Sequence, residues 1–514
     1  MKLTKFFLAL PITLFLIGCG KVTKPTTKSN STTEGTTTGG TTTGGTTTGT
    51  PTTTGGGQPT TTNQVTTAHQ SSTLNFFCSS STIKDTLNDY YSNVDVIEAT
   101  KTTLKDGTVI NWVQIPGGNN TNTDQYLAGL NEGLDNNEVD MFSVELDYMY
   151  KYINSNYVAD LSNVGVDFSK QFKFARDLGK NESGKICASS ICFCPGMYAY
   201  NLNVAKEVWG NSITTEEIED KLSTRTKLEA AAEEIKAVDG KYLLSGYSDL
   251  IFGYAYNLSS SMWDGDSLIV DKEFFRWAKD MKDYANKGYM KSKSDMYGLW
   301  MPDWIDEQGK DNVLLHVSAP WYNISTLPSF RYNNGEEDYD IQNMTDANMR
   351  LAKAYKPFTW GAMWICATKK AMNNDSTKDD VIDIIEKLTV DYDTISRYDF
   401  ITKGQLVGNN VDVIEDMSKT DAGKLAYFGG QNVFKYALEA GNACDSCVYD
   451  SFAGLSTLDL FSFTFEGYFI RNEKTAEEAW SLCQNALCSK YNLPSYKVRI
   501  HPDVTLSGYT ITIS

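Results

Sequence analysis

Two stretches of this chain place carboxylates and aromatic rings just past apolar runs, where folded chains expose their working side chains. After Val139 to Val144 comes Glu145-Leu146-Asp147-Tyr148, and after Asn312 to Val317 comes Ser318-Ala319-Pro320-Trp321-Tyr322. A carboxylate accepts hydrogen bonds from two adjacent hydroxyls, while an indole or phenol face packs on the C–H side of a sugar ring. Together they suit a neutral, polyhydroxylated ligand. Each residue also has a plainer reading: Glu145 and Asp147 as N-terminal caps of a helix over Tyr148 to Ile153, and Trp321 as core.

Other chemistries are excluded by what the chain lacks. Its three histidines are His69, His316 and His501, so histidine-rich metal sites and HExxH proteases are ruled out. His316 lies among Leu314, Leu315 and Val317, a strand context, and no G-x-S-x-G nucleophile turn or GxxxxGK[ST] loop occurs. No cofactor or metal is expected. The chain carries a net charge of −18. Residues 1 to 72 hold five lysines and one glutamate, which leaves −22 for the remainder and makes nucleic acid a poor partner.

Ten cysteines are present. Cys444-x-x-Cys447 with Cys483 and Cys488 could form two bridges by any of three connectivities, and Cys187, Cys192 and Cys194 cluster where a bridge could stiffen the chain. Cys78 and Cys366 lie in apolar strands and read as buried thiols. A zinc site on Cys444 and Cys447 lacks a second ligand pair, and a redox role for that motif lacks a thioredoxin context.

The elements that must position these residues follow from periodicity. Thr108 to Ile115 alternates as a strand; Val139 to Val144, Asn312 to Val317 and Met363 to Ala367 read as short buried strands. Thr214 and Glu217 form a capping box ahead of Ile218 and Leu222, and Asp379 to Leu388 carries an apolar stripe. Interleaved strands and helices indicate an α/β protein, in which ligands collect beyond the carboxyl ends of strands. From Thr73 to Ser514 the composition is globular and without a second long apolar run, and its length favours two lobes.

Before that lies a different chain. Lys2 and Lys5 precede the apolar run Phe6 to Ile17, and Leu16-Ile17-Gly18-Cys19 resembles the lipobox of bacterial lipoproteins. The resemblance implies export, cleavage before Cys19 and lipid anchoring at Cys19 on the extracytoplasmic face of the cell membrane. Residues 29 to 72 are almost wholly Thr, Gly, Ser, Asn, Gln and Pro, which cannot bury a core, and read as a tether of roughly 40 Å r.m.s. span. A glycosylated stalk is the alternative.

Six segments in order resemble an extracellular solute-binding protein of the carbohydrate-uptake class, the receptor of an ABC importer. They are Val109 to Ile115 (VINWVQI), Asn137 to Leu161, Met197 to Val208 (MYAYNLNVAKEV), Ser318 to Tyr322 (SAPWY), Trp360 to Lys369 (WGAMWICATK) and Phe428 to Asn432 (FGGQN). The resemblance implies a two-lobed periplasmic-binding-protein-like (type II) fold, with lobe one over about 73–194 and 359–402 and lobe two over about 195–358 and 403–514. The chain would cross between them near Cys194, Lys356 and Thr402. It further implies a carbohydrate ligand held by Glu145, Asp147, Tyr148, Trp321, Trp360, Trp364, Gln431 and Asn432, with ABC permease subunits and a separate ATPase as partners and a monomer as the state. Trp360 and Trp364 could equally be core, and Gln431 and Asn432 a plain turn. Related chains often carry two glycines where this one has Gly361-Ala362, and Asp295 to Gln308 matches no part of the pattern. A glycoside hydrolase working through paired carboxylates, or a carbohydrate-binding adhesin on a stalk, are the competing classes.

Overall fold

The computed structural model describes residues 71–79, 81–114, 123–192, 194–291, 311–327, 345–396, 408–449 and 454–514, without a few side chains inside elements, that of Asp147 among them. Cys19, the tether, the segment Asp295 to Gln308 and the expected crossing at Thr402 lie outside the described residues.

Ten strands form two sheets that frame the site. In chain order they are β1 (Thr73–Cys78), β2 (Val94–Ile97), β3 (Lys101–Leu104), β4 (Val109–Gln114), β5 (Met141–Glu145), β6 (Ser189–Ser190), β7 (Met197–Asn201), β8 (Leu315–Ser318), β9 (Met349–Lys353) and β10 (Met363–Ala367). Seven of them make one sheet in the order β2-β3-β4-β1-β5-β10-β6, and the other three make the second in the order β8-β7-β9. β1 runs parallel to both β4 and β5. β10 runs antiparallel to β5, pairing Met363 with Glu145 and Ala367 with Met141.

The strand sequences account for this arrangement. β1 carries Leu74, Phe76 and Cys78 on one buried face, and its Phe76 stacks on Trp112 of β4 at 5.0 Å. β10 (MWICA) is enclosed by β5 and β6 and by helices, so Trp364 and Cys366 are both buried. Helices cover the sheets. The expected capping box is present, with Thr214 Oγ1 accepting from Glu217 N–H and Glu217 Oε2 accepting from Thr214 N–H. The apolar stripe of Lys378–Thr389 buries Val381, Ile384, Ile385 and Leu388. No described helix is long and apolar enough to cross a membrane.

Two chain segments connect the sheets and pair with each other. Trp360 N–H donates to Cys194 O (2.9 Å), Gly196 N–H to Phe358 O (2.6 Å) and Thr359 Oγ1 to Cys194 O (2.9 Å). These links run through Cys194 and just beyond Lys356, and they are called the first and second crossings below. Asn257 Nδ2 holds Pro357 O from the second-sheet side (2.7 Å). Below them runs a partly buried polar chain: Lys356 Nζ bonds Glu273 (2.5 Å) and lies 4.1 Å over the Tyr254 ring, Tyr355 OH donates to Tyr254 OH, and Tyr254 OH donates to Asp280, which Arg225 also binds.

All nine described cysteines are free thiols. Cys78 and Cys366 are buried as expected. Cys483 and Cys488 share the helix Ala476–Tyr491 five positions apart, which points them to different faces, so they do not pair with each other.

A Cβ at Gly196 would overlap the Phe358 ring, which is itself buried in the crossing. Gly196→Ala is therefore expected to destabilise the protein by about 1–3 kcal/mol, read as a lower urea midpoint at unchanged slope.

Candidate functional site

Where the second crossing enters β10, aromatic side chains gather. Trp321, half-buried just past β8, donates its indole N–H to Trp360 O (3.0 Å). Its ring meets Trp360 at 5.1 Å and Tyr322 at 5.7 Å, both edge-on, and Tyr322 meets Trp360 at 5.5 Å. Phe252 packs on Trp360 (5.6 Å) and Phe358 (6.3 Å) from behind. Trp360 and Tyr322 are buried, whereas Trp321 and Phe252 are half-buried, so these two rings reach the surface and the enclosed pair fixes the tilt of Trp321. The short one-turn helix Tyr322–Thr326, wound with i→i+5 bonds, begins here, a geometry that recurs at functional sites.

Glu145 ends β5 opposite Met363. Met363 is three residues beyond Trp360, at most about 11 Å along the chain, and an antiparallel partner lies about 5 Å across. The acid and the aromatic cluster are therefore brought together by a single four-residue connection. The Glu145 carboxylate has no hydrogen bond or ion pair among the described residues, although Glu145 occupies the N-cap position of the helix Leu146–Ile153. Half-buried and unpaired, it is pushed up to about 7 by loss of solvent.

The connection itself is unusual. Gly361 has φ +78° and Ala362 φ +129°, a region that L side chains rarely adopt. Ala362 thus occupies a conformation suited to glycine.

The other expected residues separate into groups. Tyr148 is half-buried in the first turn of Leu146–Ile153, one residue from Asp147, whose side chain is outside the described residues. Trp364 is enclosed in β10 against Val144 and Ser190, with no partner for its indole N–H among the described residues; it belongs to the sheet core and cannot stack on a ligand. Gln431 spends its amide internally: Oε1 accepts from Leu351 N–H (2.6 Å), while Nε2 donates to Leu351 O and to Tyr436 OH. Asn432 is a helix cap, accepting from Phe434 and Lys435 N–H and donating to the carbonyls of Met417, Ser418 and Thr420. Both are anchors of the second-sheet side. Sequence reading placed Tyr322 beside Trp321 at the strand exit without including it in the ligand set, and it missed Phe252 and Phe358 as parts of the platform. Phe358 lies two before Trp360, but Phe252 carries no local signal.

A crevice lined by Tyr198, Leu250, Gly253, Val317, Tyr355, Lys356 and Phe358 lies behind the platform; at about 10 Å³ it has room for no more than a water-sized group, far below the roughly 300–1,000 Å³ usual for ligand pockets.

No protein-family model and no curated protein matches this sequence. Solved structures do match the fold. One is an extracellular solute-binding protein family 1 structure, similar with TM-score 0.64 over 82% of this chain and 100% of that one at 13% identity. The sugar-binding protein MalE from the phytopathogen Xanthomonas citri gives 0.57 over 82% and 98% at 11% identity. The galacto-N-biose-/lacto-N-biose I-binding protein of an ABC transporter from Bifidobacterium longum, in complex with lacto-N-biose, gives 0.56 over 84% and 98% at 13% identity. The chain has the two-lobed α/β fold of periplasmic-type binding proteins.

Two outcomes follow from Glu145 and Ala362. Because the folded carboxyl holds its proton to about pH 7 and an unfolded glutamate releases it near 4.5, the folded state binds more protons between these values. Stability is expected to fall as pH rises from 4.5 to 7, and Glu145→Gln to remove that part of the fall, as followed by urea unfolding across pH. Ala362→Gly should relieve backbone strain and raise the unfolding free energy by roughly 0.5–2 kcal/mol.

Proposed function

We propose that this protein is the substrate-binding receptor of an ABC importer, capturing a sugar or oligosaccharide between its lobes and delivering it to a membrane permease driven by a separate ATPase. It is exported and held by lipid at Cys19, with the Thr/Gly-rich segment as its tether, and it makes and breaks no bond in its ligand. The observation that carries this reading is the Trp321 platform, fixed to the crossing through Trp360 O and linked by four residues to the unpaired Glu145. A ring for the C–H face of a sugar and an acid for its hydroxyls thereby stand at the junction of the lobes. The fold supports it too, since proteins of this architecture have been solved with lacto-N-biose, beta-1,6-galactobiose and cycloalternan.

Ligand closure would act through the paired crossings. A sugar that contacts both lobes favours the closed state by its differential affinity for closed over open. Glu145, Asp147 and Tyr148 then serve from lobe one, and Trp321 and Trp360 from the crossing and lobe two. Gln431, Asn432 and Trp364 support those surfaces without touching ligand.

A thermal-shift panel of galacto- and gluco-oligosaccharides should reveal a ligand, since saturation at 100 times Kd adds about 2.7 kcal/mol to stability. With that sugar, Trp321→Ala should weaken binding by about 1–3 kcal/mol in titration calorimetry while leaving the circular dichroism spectrum unchanged. Unaltered affinity would remove Trp321 from the site, and turnover of the sugar by purified protein would replace the receptor with a hydrolase.

A further inference from the structure

The turn Cys444-Asp445-Ser446-Cys447 and the residue after it contact the second crossing, the Phe174 amide and the Leu258 amide. Cys444 ends the helix Val433–Cys444, and its Sγ donates to Phe358 O (3.1 Å); Cys447 Sγ donates to Pro357 O (3.4 Å). Both thiols thus hold consecutive carbonyls of the second crossing. Between them, Asp445 Oδ1 accepts from Phe174 N–H (3.1 Å), at the start of a helix beside β6 in lobe one. Just beyond, Val448 O accepts from Leu258 N–H (2.9 Å) in lobe two.

The two sulfurs are neighbours. Cys447 N–H donates to Cys444 O (3.0 Å), closing a turn whose ends lie within about 7 Å, and disulfides span Cα distances of about 4.4–6.8 Å. The neighbouring Cys447 and burial raise the Cys444 thiol above its ordinary value. Cys444 is enclosed, whereas Cys447 is half-exposed and open to a reagent. The other close pair, Cys192 and Cys194 with sulfurs 4.0 Å apart, is buried on both sides and lies two apart in extended chain, at the far limit of bridging distance.

We propose that Cys444 and Cys447 are a redox-active pair whose oxidation to an intramolecular disulfide loosens the second crossing. With a small-molecule disulfide as oxidant, the Cys447 thiolate attacks one sulfur of oxidised glutathione and expels one glutathione thiol. Cys444 then loses its proton to solvent and attacks Cys447 Sγ, expelling the second. Two S–H bonds are lost, one S–S bond is formed, and the oxidant is reduced to two thiols. Oxidation removes both S–H donors from Pro357 O and Phe358 O, leaving those carbonyls to Asn257 Nδ2 and Gly196 N–H. The role of the crossing as a hinge rests on the binding reading above; the bridge itself does not.

The test exposes the full chain to oxidised glutathione and then to a reducing phosphine. Expected are a reversible loss of two hydrogen masses, a Cys444–Cys447 linkage on peptide mapping that persists in Cys192→Ser and disappears in Cys447→Ser, and several-fold faster amide exchange over 355–360 in the oxidised form. Failure to form this bridge, a bridge to another cysteine, or a bridge that leaves exchange at 355–360 unchanged would each overturn the proposal. None of these readouts uses a sugar, so absence of carbohydrate binding would count against the receptor reading alone.

Discussion

The short antiparallel pairing of 194–196 with 358–360 is the constraint on which the rest depends. Three hydrogen bonds tie these segments together, and everything attributed to the site hangs from one of them. The Trp360 amide is bonded to Cys194, its carbonyl to Trp321, and its ring to Tyr322 and Phe252. One residue thereby fixes the crossing with its backbone and the platform with its side chain. Three residues later the same strand delivers Met363 to Glu145. Orientation at the site is thus inherited from main-chain geometry, which is less compliant than side-chain contact alone.

That economy explains why so much polar structure lies under the crossing. Lys356, Glu273, Tyr254, Tyr355, Asp280 and Arg225 form a continuous chain beside it, and leaving any member unpaired in such surroundings is costly. The network defines one resting place for residues 355 and 356. The Gly361-Ala362 connection on the other side is the opposite case, a backbone held in a disfavoured conformation by the well-packed strands and rings around it.

Local pattern made part of this legible. The strands at Val109, Met141 and Met363, the buried His316 and the Thr214 capping box all follow from short-range rules, and the structure places them within a residue or two of the expected bounds; the Asn312 strand is confined to Leu315–Ser318, at the end of its run. The order of strands in the first sheet did not follow from pattern, because β10 reaches its place from far along the chain and only the resemblance pointed there. Trp364 and Trp360 look alike in sequence, four apart and each flanked by small or apolar residues. Which one is enclosed by two strands depends on neighbours more than 170 residues away. Asn432 before an apolar helix was readable as a cap, yet the three carbonyls that take its amide protons come from 417–420 and gave no local sign.

The position of β10 between β5 and β6 also bears on how the molecule is made. Residues 141–145 and 189–190 emerge early in the chain, but the strand that seals them together is 363–367. Until those five residues arrive, the first sheet keeps an apolar edge with unsatisfied backbone groups, a template for mispairing. The fold therefore cannot mature progressively from its amino end, and assembly must wait on long-range loop closure, which slows it.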